Sequence, residues 1–194
     1  MKINIYAKIQ EQLDLFDEVL SKLMIDGDEL YISTENRRSF RFFDKIANKD
    51  NSDDIYVVSS LKTLGLNEKD IMDKLLWFIE NAVVLVIASI PSTYEAGIAQ
   101  PLNQTILKTI SQFVSNGNKN IVSISSKRCN SGRNKLPFPD NWDELYEKWE
   151  KQEISSQEFI KLAKLKKATF YNFLKEYKDI QAYNREYLKK HEVI

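Results

Sequence analysis

Hydrophobic positions follow two different periods along the first half of this chain. Short runs rich in β-branched residues predict four strands, at residues 2–7, 29–34, 55–59 and 83–87. Between these runs, apolar residues three or four apart predict helices within residues 13–23, 40–46 and 67–79. The last two strands are continuously apolar, which is typical of burial on both faces. Strands that alternate with helices predict an α/β fold, in which helices flank a mostly parallel sheet.

A further helix is predicted at residues 103–114, because Ile106, Ile110 and Phe113 form one apolar stripe. No long strand follows it in the sequence, so two interpretations stay open. The stripe either packs on the sheet or forms a dimer contact between two copies of the chain. Residues 1–114 are thus expected to form the α/β domain, and residues 115–138 a linker or arm.

Residues 139–180 carry the apolar pattern of three short helices. Ser155 followed by Glu158 predicts a capping box at the start of the second. A short basic turn joins the second helix to the third, so the pattern predicts a helix-turn-helix domain, followed by a C-terminal tail at residues 181–194. The apolar residues of the three helices are, in order, Trp142, Leu145, Tyr146 and Trp149; Phe159, Ile160 and Ala163; and Phe170, Phe173, Leu174 and Tyr177.

The polar face of the third helix has the chemistry of a DNA-reading surface, because cations, hydroxyls and amides reach phosphates and base edges in a major groove. The residues assigned to this role are Lys166, Lys167, Thr169, Tyr171, Asn172 and Lys175, the last to a phosphate. Ahead of this domain, Arg133 and Lys135 lie in a basic segment that predicts an arm, with the arginine in a minor groove. The alternative is an amphipathic helical hairpin whose charged face is only solvated.

Charge is divided unevenly along the chain, although its 28 basic and 28 acidic residues balance. Residues 1–118 hold 12 lysines and arginines against 17 aspartates and glutamates, whereas residues 119–194 hold 16 against 11. A basic part beside an acidic part favours nucleic-acid contact by the basic one. The charge pattern therefore agrees with double-stranded DNA as a partner.

Composition narrows the remaining function classes. The hydrophobic fraction of 43% is that of a globular protein. No apolar run approaches the roughly 20 residues of a membrane span and no signal peptide is evident, so no membrane partner and a cytoplasmic location are expected. The single Cys129 excludes an internal disulfide, and the single His191 leaves a His/Cys metal site and a histidine-based triad without their parts. With no glycine-rich phosphate loop either, neither a metal nor a cofactor is expected.

The order of these parts resembles the small serine recombinases, the resolvase and invertase family, over nearly the whole chain. Residues 5–9 resemble the family's opening strand, and Gly132 with Arg133 its glycine-arginine-proline arm. Residues 167–171 resemble the start of the recognition helix. Other matching positions are Arg37, Phe40 and Phe43 for the second helix, and residues 55–58 with Leu61, Leu64 and Gly65 for the third strand and the turn after it. The resemblance implies an N-terminal catalytic-type domain that dimerises and a DNA-binding domain behind it.

The family's catalytic groups are largely replaced. Its chemistry needs a serine nucleophile among arginines that stabilise the phosphoryl transition state. Gln10 stands at the serine position, and an amide cannot form a phosphodiester to DNA. Lys8 replaces a neighbouring arginine and loses its bidentate fork. The other positions of this degenerate site are Lys62, Thr63 and Leu66, which replace an aspartate and two arginines, and Arg37, which remains, with Arg38 as an alternative in register.

Three hypotheses follow from the residues and the resemblance together. The first is a catalytically inactive, sequence-specific DNA-binding protein, a homodimer or tetramer, which regulates transcription or has an architectural role in a mobile element. The second is an active resolvase or invertase with an atypical nucleophile, for which Ser33, Ser59 and Ser60 are candidates. The third is a protein-interaction partner that associates with a true recombinase subunit.

Overall fold

The computed structural model describes residues 1–9, 11–25, 27–46, 54–95, 99–115 and 136–191. The chain divides into two compact units. Of the described residues, those up to 115 and from 187 to 191 belong to the first unit, and residues 136–186 belong to the second. Among the described residues, no helix is both long enough and apolar enough to cross a bilayer.

The first unit is built on a parallel sheet. Its strands are β1 (Lys2–Lys8), β2 (Glu29–Glu35), β3 (Asp54–Val58) and β4 (Val84–Ile87). Their order across the sheet is β2-β1-β3-β4, and every pair is parallel. In this register, Ile5 of β1 lies between Ile32 of β2 and Val57 of β3. The predicted α/β class with a parallel sheet is therefore confirmed.

Helices cover both faces of this sheet. They are a 3-10 helix (Leu13–Phe16), α1 (Asp17–Leu23), α2 (Arg41–Ile46), α3 (Leu61–Leu64), α4 (Glu68–Glu80), a second 3-10 helix (Pro91–Thr93) and α5 (Gln100–Ser115). One core contains Ile5 and Val57 with residues of the first 3-10 helix and α1. The other contains Tyr6 and Tyr56 with residues of α3, α4 and α5. Alternation along the strands sends successive side chains into opposite cores, which explains the continuous burial of β3 and β4.

Within the part of the chain that the structure describes, side chains rather than another strand pair with the outer edge of β4. Asn103 of α5 donates its amide to the Leu85 carbonyl at 2.8 Å and accepts from the Leu85 amide at 3.2 Å. Thr93 bonds the backbone of Ile87 in a similar way, with the Ile87 amide 3.0 Å from its hydroxyl. These bonds satisfy backbone groups that would otherwise be buried without partners.

The second unit consists of α6 (Trp142–Glu150), α7 (Ser156–Leu162) and the first part of α8 (Lys167–His191). Its core is mostly aromatic: the fully buried Trp142 contacts the rings of Phe138, Phe159, Phe170 and Phe173. The predicted capping box is confirmed, since Ser155 and Glu158 bond each other's backbone amides.

The end of α8 differs from the predicted tail at 181–194, because the helix continues through His191. From Tyr187 onwards it belongs to the first unit, where Tyr187 is 5% exposed and packs in a core. The carboxylate of Asp17 accepts hydrogen bonds from the Tyr187 hydroxyl at 2.7 Å and from Lys190 Nζ at 2.5 Å, and Nε2 of His191 lies 3.0 Å away. Desolvation opposes ionisation of Asp17, but these bonds outweigh it and lower the pKa of this carboxyl.

Candidate functional site

A short basic turn joins α7 to α8. α7 ends at Leu162 and α8 begins at Lys167, so residues 163–166 connect them, which is the length found in helix-turn-helix units. Lys164 has a φ of 53°, in the left-handed region, and the next amide, of Leu165, donates back to the Ile160 carbonyl at 3.1 Å. This bond satisfies a carbonyl at the end of α7 and ends the helix there.

The first turns of α8 separate an aromatic stripe from a polar one. Phe170 and Phe173 are buried, whereas Ala168, Asn172 and Lys175 are exposed on the opposite side at intervals of four and three residues. Tyr171 is 49% exposed and lies at the margin of this side, with its ring against that of Phe170 at 5.2 Å between centroids. We call Ala168, Tyr171, Asn172 and Lys175 the α8 outer face. Thr169, predicted on the same face, is half-buried at its flank.

Positive charge concentrates around the α8 outer face. Residues 156–175 contain five lysines and one acidic residue, whereas residues 140–153 contain six acidic residues and two lysines. Lys166, Lys167 and Lys175 are exposed, and none of them forms an ion pair within the described part of the chain. Exposed cations grouped on one side of a small domain produce a positive electrostatic potential there. The predicted arm residues Arg133 and Lys135 lie outside the described residues.

A second group of polar side chains lies where β1 and β2 end. In the strand order β2-β1-β3-β4 the chain changes direction across the sheet between β1 and β3, next to this group, and parallel α/β sheets bind ligands at such switch points. We call the group, which comprises Tyr6, Lys8, Glu35 and Ser39, the Lys8 cluster. Nζ of Lys8 donates to the Tyr6 hydroxyl and to the Ser39 carbonyl at 2.6 Å. The Tyr6 hydroxyl in turn donates to Glu35 Oε2 at 2.8 Å.

Burial dominates the electrostatics of the Lys8 cluster. The Lys8 side chain is enclosed, with Nζ 3.9 Å from the ring centroid of Phe40, and the residue is 5% exposed. Desolvation lowers the pKa of Lys8 to about 8, although the negative charges of Glu35 and Glu11 oppose this shift. Desolvation also raises the pKa of the Tyr6 hydroxyl, and the neighbouring Glu35 adds to that effect. The Lys8 ammonium is therefore engaged inside the protein.

Glu11 links the ends of β1 and β3. Its Oε2 accepts from the Lys8 amide at 3.0 Å, and its Oε1 accepts from the Thr63 hydroxyl at 2.6 Å. Ser59 Oγ lies 2.8 Å from Thr63 Oγ1, so Ser59 is the donor in this pair because the Thr63 proton points to Glu11. Two of the predicted degenerate-site positions, Lys8 and Thr63, are thus brought together through a glutamate that the resemblance does not include.

The other predicted positions of the degenerate site are not drawn into this arrangement. Arg37 is exposed in the turn after β2, and Lys62 and Leu66 are exposed on and after α3. Neither Arg37 nor Lys62 forms an ion pair with a described residue. Gln10 lies outside the described residues.

The stripe predicted on α5 is divided between the core and the surface. Ile110 is buried with Leu107 against the sheet, whereas Phe113 is 43% exposed and Ile106 is half-buried. The inward face of α5 consists of Asn103, Leu107, Ile110 and Val114, one position away from the predicted stripe at both ends. Ile106, Ile110 and Phe113 also line an open apolar groove together with Ile90.

Comparison of the sequence with models of known protein families finds no match, and no curated protein sequence matches it either.

Sequence reasoning missed the partners that complete these arrangements. Glu35 ends β2, and a carboxylate at the carboxyl end of a strand is a signal that could have been used. Tyr6 and Lys8 are two residues apart on β1, so their shared face also follows from the strand period. Glu11 gives no such signal, because its contact with Thr63 depends on residues 52 positions apart in the sequence.

Proposed function

We propose that this protein binds double-stranded DNA sequence-specifically through α7 and α8, acting as a helix-turn-helix. We further propose that it has the frame of a serine recombinase without its strand-cleavage chemistry, and that it regulates transcription or has an architectural role in a mobile element. The α8 outer face would enter the major groove, and Lys166, Lys167 and Lys175 would contact base edges or phosphates at its borders. Arg133 and Lys135 would extend the contact into a minor groove.

The observation that carries this proposal is the set of cations around the α8 outer face that have no ion-pair partner among the described residues. The aromatic core beneath it holds the helix in place, so the exposed groups are presented by a rigid element. Acidic residues are concentrated on α6, and this separation of charge would orient the unit toward a polyanion. A helix face that is charged only for solubility does not require acidic and basic residues to be separated in this way.

The arrangement at the carboxyl ends of β1 and β3 supports a loss of catalysis. Strand cleavage requires a nucleophile beside cations that are free to contact a phosphate. Lys8 is instead buried and bonded to Tyr6 and Ser39. Ser59, a candidate alternative nucleophile, donates to Thr63, which is itself bonded to a carboxylate rather than to a cation.

Self-association through α5 is the proposed route to a dimer. Leu102, Ile106, Thr109 and Phe113 follow one another at intervals of four, three and four residues, which is the spacing of a coiled-coil seam. Leu102 and Phe113 are 38% and 43% exposed. A two-fold contact along this seam would cover both of these side chains.

Salt-dependent binding tests the proposal. The full-length protein is titrated into labelled duplexes from DNA around its own gene and into a scrambled duplex, and anisotropy is recorded over a series of salt concentrations. We expect selective binding that weakens as salt rises. Lys175→Ala should weaken binding to every duplex and reduce the salt slope by about 0.9, the contribution of one phosphate contact. Lys148→Ala, an exposed lysine on α6, is the matched control and should leave the slope unchanged.

Denaturing electrophoresis of the same complexes tests the absence of cleavage. No covalent adduct is expected. An adduct would overturn the inactive assignment, and mapping it would identify the nucleophile. Failure to bind any duplex at low salt would refute the DNA-binding function and favour a protein-interaction role instead.

A further inference from the structure

Asn172 is the side chain of the α8 outer face with the chemistry to identify a single base. Its amide offers one acceptor and two donors, a combination that matches the N7 acceptor and N6 donor of adenine in the major groove. Asn172 is exposed, and no hydrogen bond occupies its amide within the described part of the chain. The ring of the neighbouring Tyr171 contacts the ring of Phe170, and this contact restricts the orientation of the Tyr171 side chain beside Asn172.

The position of Asn172 suits direct contact with a base. It is the sixth residue of α8, within the first two turns, and the first turns of a recognition helix are the part that reaches base edges. Its side chain is short, so the helix backbone must come close to the floor of the groove. Ala168, one turn earlier on the same face, permits that approach because its side chain is a single methyl group.

The rest of the face limits how far the contact extends. Lys175 follows Asn172 by three residues, and its longer side chain would reach a phosphate at the border of the groove. Asp179 is exposed one turn further along the same side, where its negative charge would be repelled by phosphates. The base-reading part of α8 therefore ends near Lys175.

We propose that Asn172 specifies an adenine in the DNA half-site of this protein, through a bidentate contact in the major groove. This inference rests on the proposed DNA-binding function and adds the base that is recognised.

Selection from a randomised duplex library tests the proposal. The full-length protein and its variants are each used to retain duplexes, which are then sequenced. Wild type should select adenine at one position of the half-site, at a preference of about 5- to 150-fold over other bases. Asn172→Ala should lose the preference at that position alone. Asn172→Asp should shift it towards cytosine, because a carboxylate accepts from the cytosine N4 amino group.

Two further variants separate base reading from general affinity. Lys175→Ala should weaken retention of all duplexes and leave the selected base unchanged. Ala168→Trp should block the close approach and reduce selective binding more than binding to a scrambled duplex. All these side chains are exposed, and circular dichroism checks that the helical content of each variant is unchanged.

The outcomes distinguish this inference from the function on which it rests. Selective binding by wild type with the same base preferences in Asn172→Ala refutes the role of Asn172 and leaves DNA binding intact. A wild-type protein that retains no duplex refutes DNA binding, and the reading of adenine with it.

Discussion

Replacement of Lys8 by methionine tests whether this cation is buried as the structure indicates. Methionine keeps much of the apolar length of the side chain and removes the charge. Burial lowers the pKa of Lys8 from 10.5 in an unfolded chain to about 8 in the folded protein. Since one pH unit corresponds to about 1.4 kcal/mol, folding disfavours the charged form of this side chain by about 3 kcal/mol.

The sign of the pH dependence follows from proton binding. Well below pH 8, Lys8 is protonated in both the folded and the unfolded chain, so it adds no pH dependence. Between pH 8 and 10.5 the unfolded chain holds a proton that the folded chain has lost, so the free energy of unfolding rises with pH. Tyr6 adds little to this difference, because the pKa of its hydroxyl is raised above the ordinary value of 10.0 and the residue stays protonated in the folded protein. From pH 8 to 10, wild type should gain about 2 kcal/mol relative to Lys8→Met.

Urea unfolding followed by tryptophan fluorescence measures this gain in the first unit alone. Trp77 lies in α4, whereas the other two tryptophans, Trp142 and Trp149, lie in the second unit. Changing these two to phenylalanine leaves Trp77 as the reporter. Lys62→Met, which removes an exposed lysine, is the control and should give a difference from wild type that does not vary with pH. A constant difference between wild type and Lys8→Met from pH 8 to 10 would refute the desolvation of Lys8.

Three other changes test contacts in the first unit. Asp17→Asn should speed amide exchange in residues 187–191 by roughly fivefold, the loss of about 1 kcal/mol, measured by mass spectrometry. Asp14→Asn should speed exchange in these residues less, because among the described residues of this segment Asp14 contacts only Lys190, at 3.6 Å. Equal exchange rates in the two variants would contradict the proposed stabilisation of this segment by Asp17. Asn103→Ala should lower the free energy of unfolding by about 2–4 kcal/mol in urea, since it leaves both backbone groups of Leu85 buried without partners. Phe113→Glu should convert the dimer to a monomer in sedimentation, with little effect on the free energy of unfolding. Lys108→Glu, the control, should leave the dimer intact. A monomeric wild type would refute the contact through α5.

The α/β class could be predicted from the sequence because the relevant signals are local. Strand periods and apolar stripes are set by residues within a few positions of one another, and each predicted strand lies within a residue or two of its observed bounds. The capping box of α7 is equally local, since Ser155 and Glu158 are three residues apart. The inward face of α5 was harder to predict, because Ile106, Leu107 and Ile110 are all apolar. The sequence alone does not show whether Ile106 or Leu107 faces the core.

Contacts between distant residues could not be predicted in the same way. The residues next to Tyr187 and Tyr183 in the sequence do not indicate which of the two tyrosines is buried. In the structure Tyr187 is buried and Tyr183 is 46% exposed. Tyr187 packs in a core of the first unit, and Asp17, 170 positions away in the sequence, accepts a hydrogen bond from its hydroxyl. A tyrosine needs both an apolar site and a hydrogen-bond partner to be buried at low cost, and only the folded chain brings the two together.

The location of unpaired charge gives the most direct argument about function. The family resemblance points to Lys8 as a cation of the former site. In the structure its ammonium is enclosed and donates to Tyr6 and Ser39, and its backbone amide donates to Glu11. A buried, hydrogen-bonded cation cannot contact a phosphate without losing those bonds. Lys166, Lys167 and Lys175 have no such engagement within the part of the chain that the structure describes. The lysines on and beside α8 are therefore better placed than Lys8 to make the proposed contact with DNA.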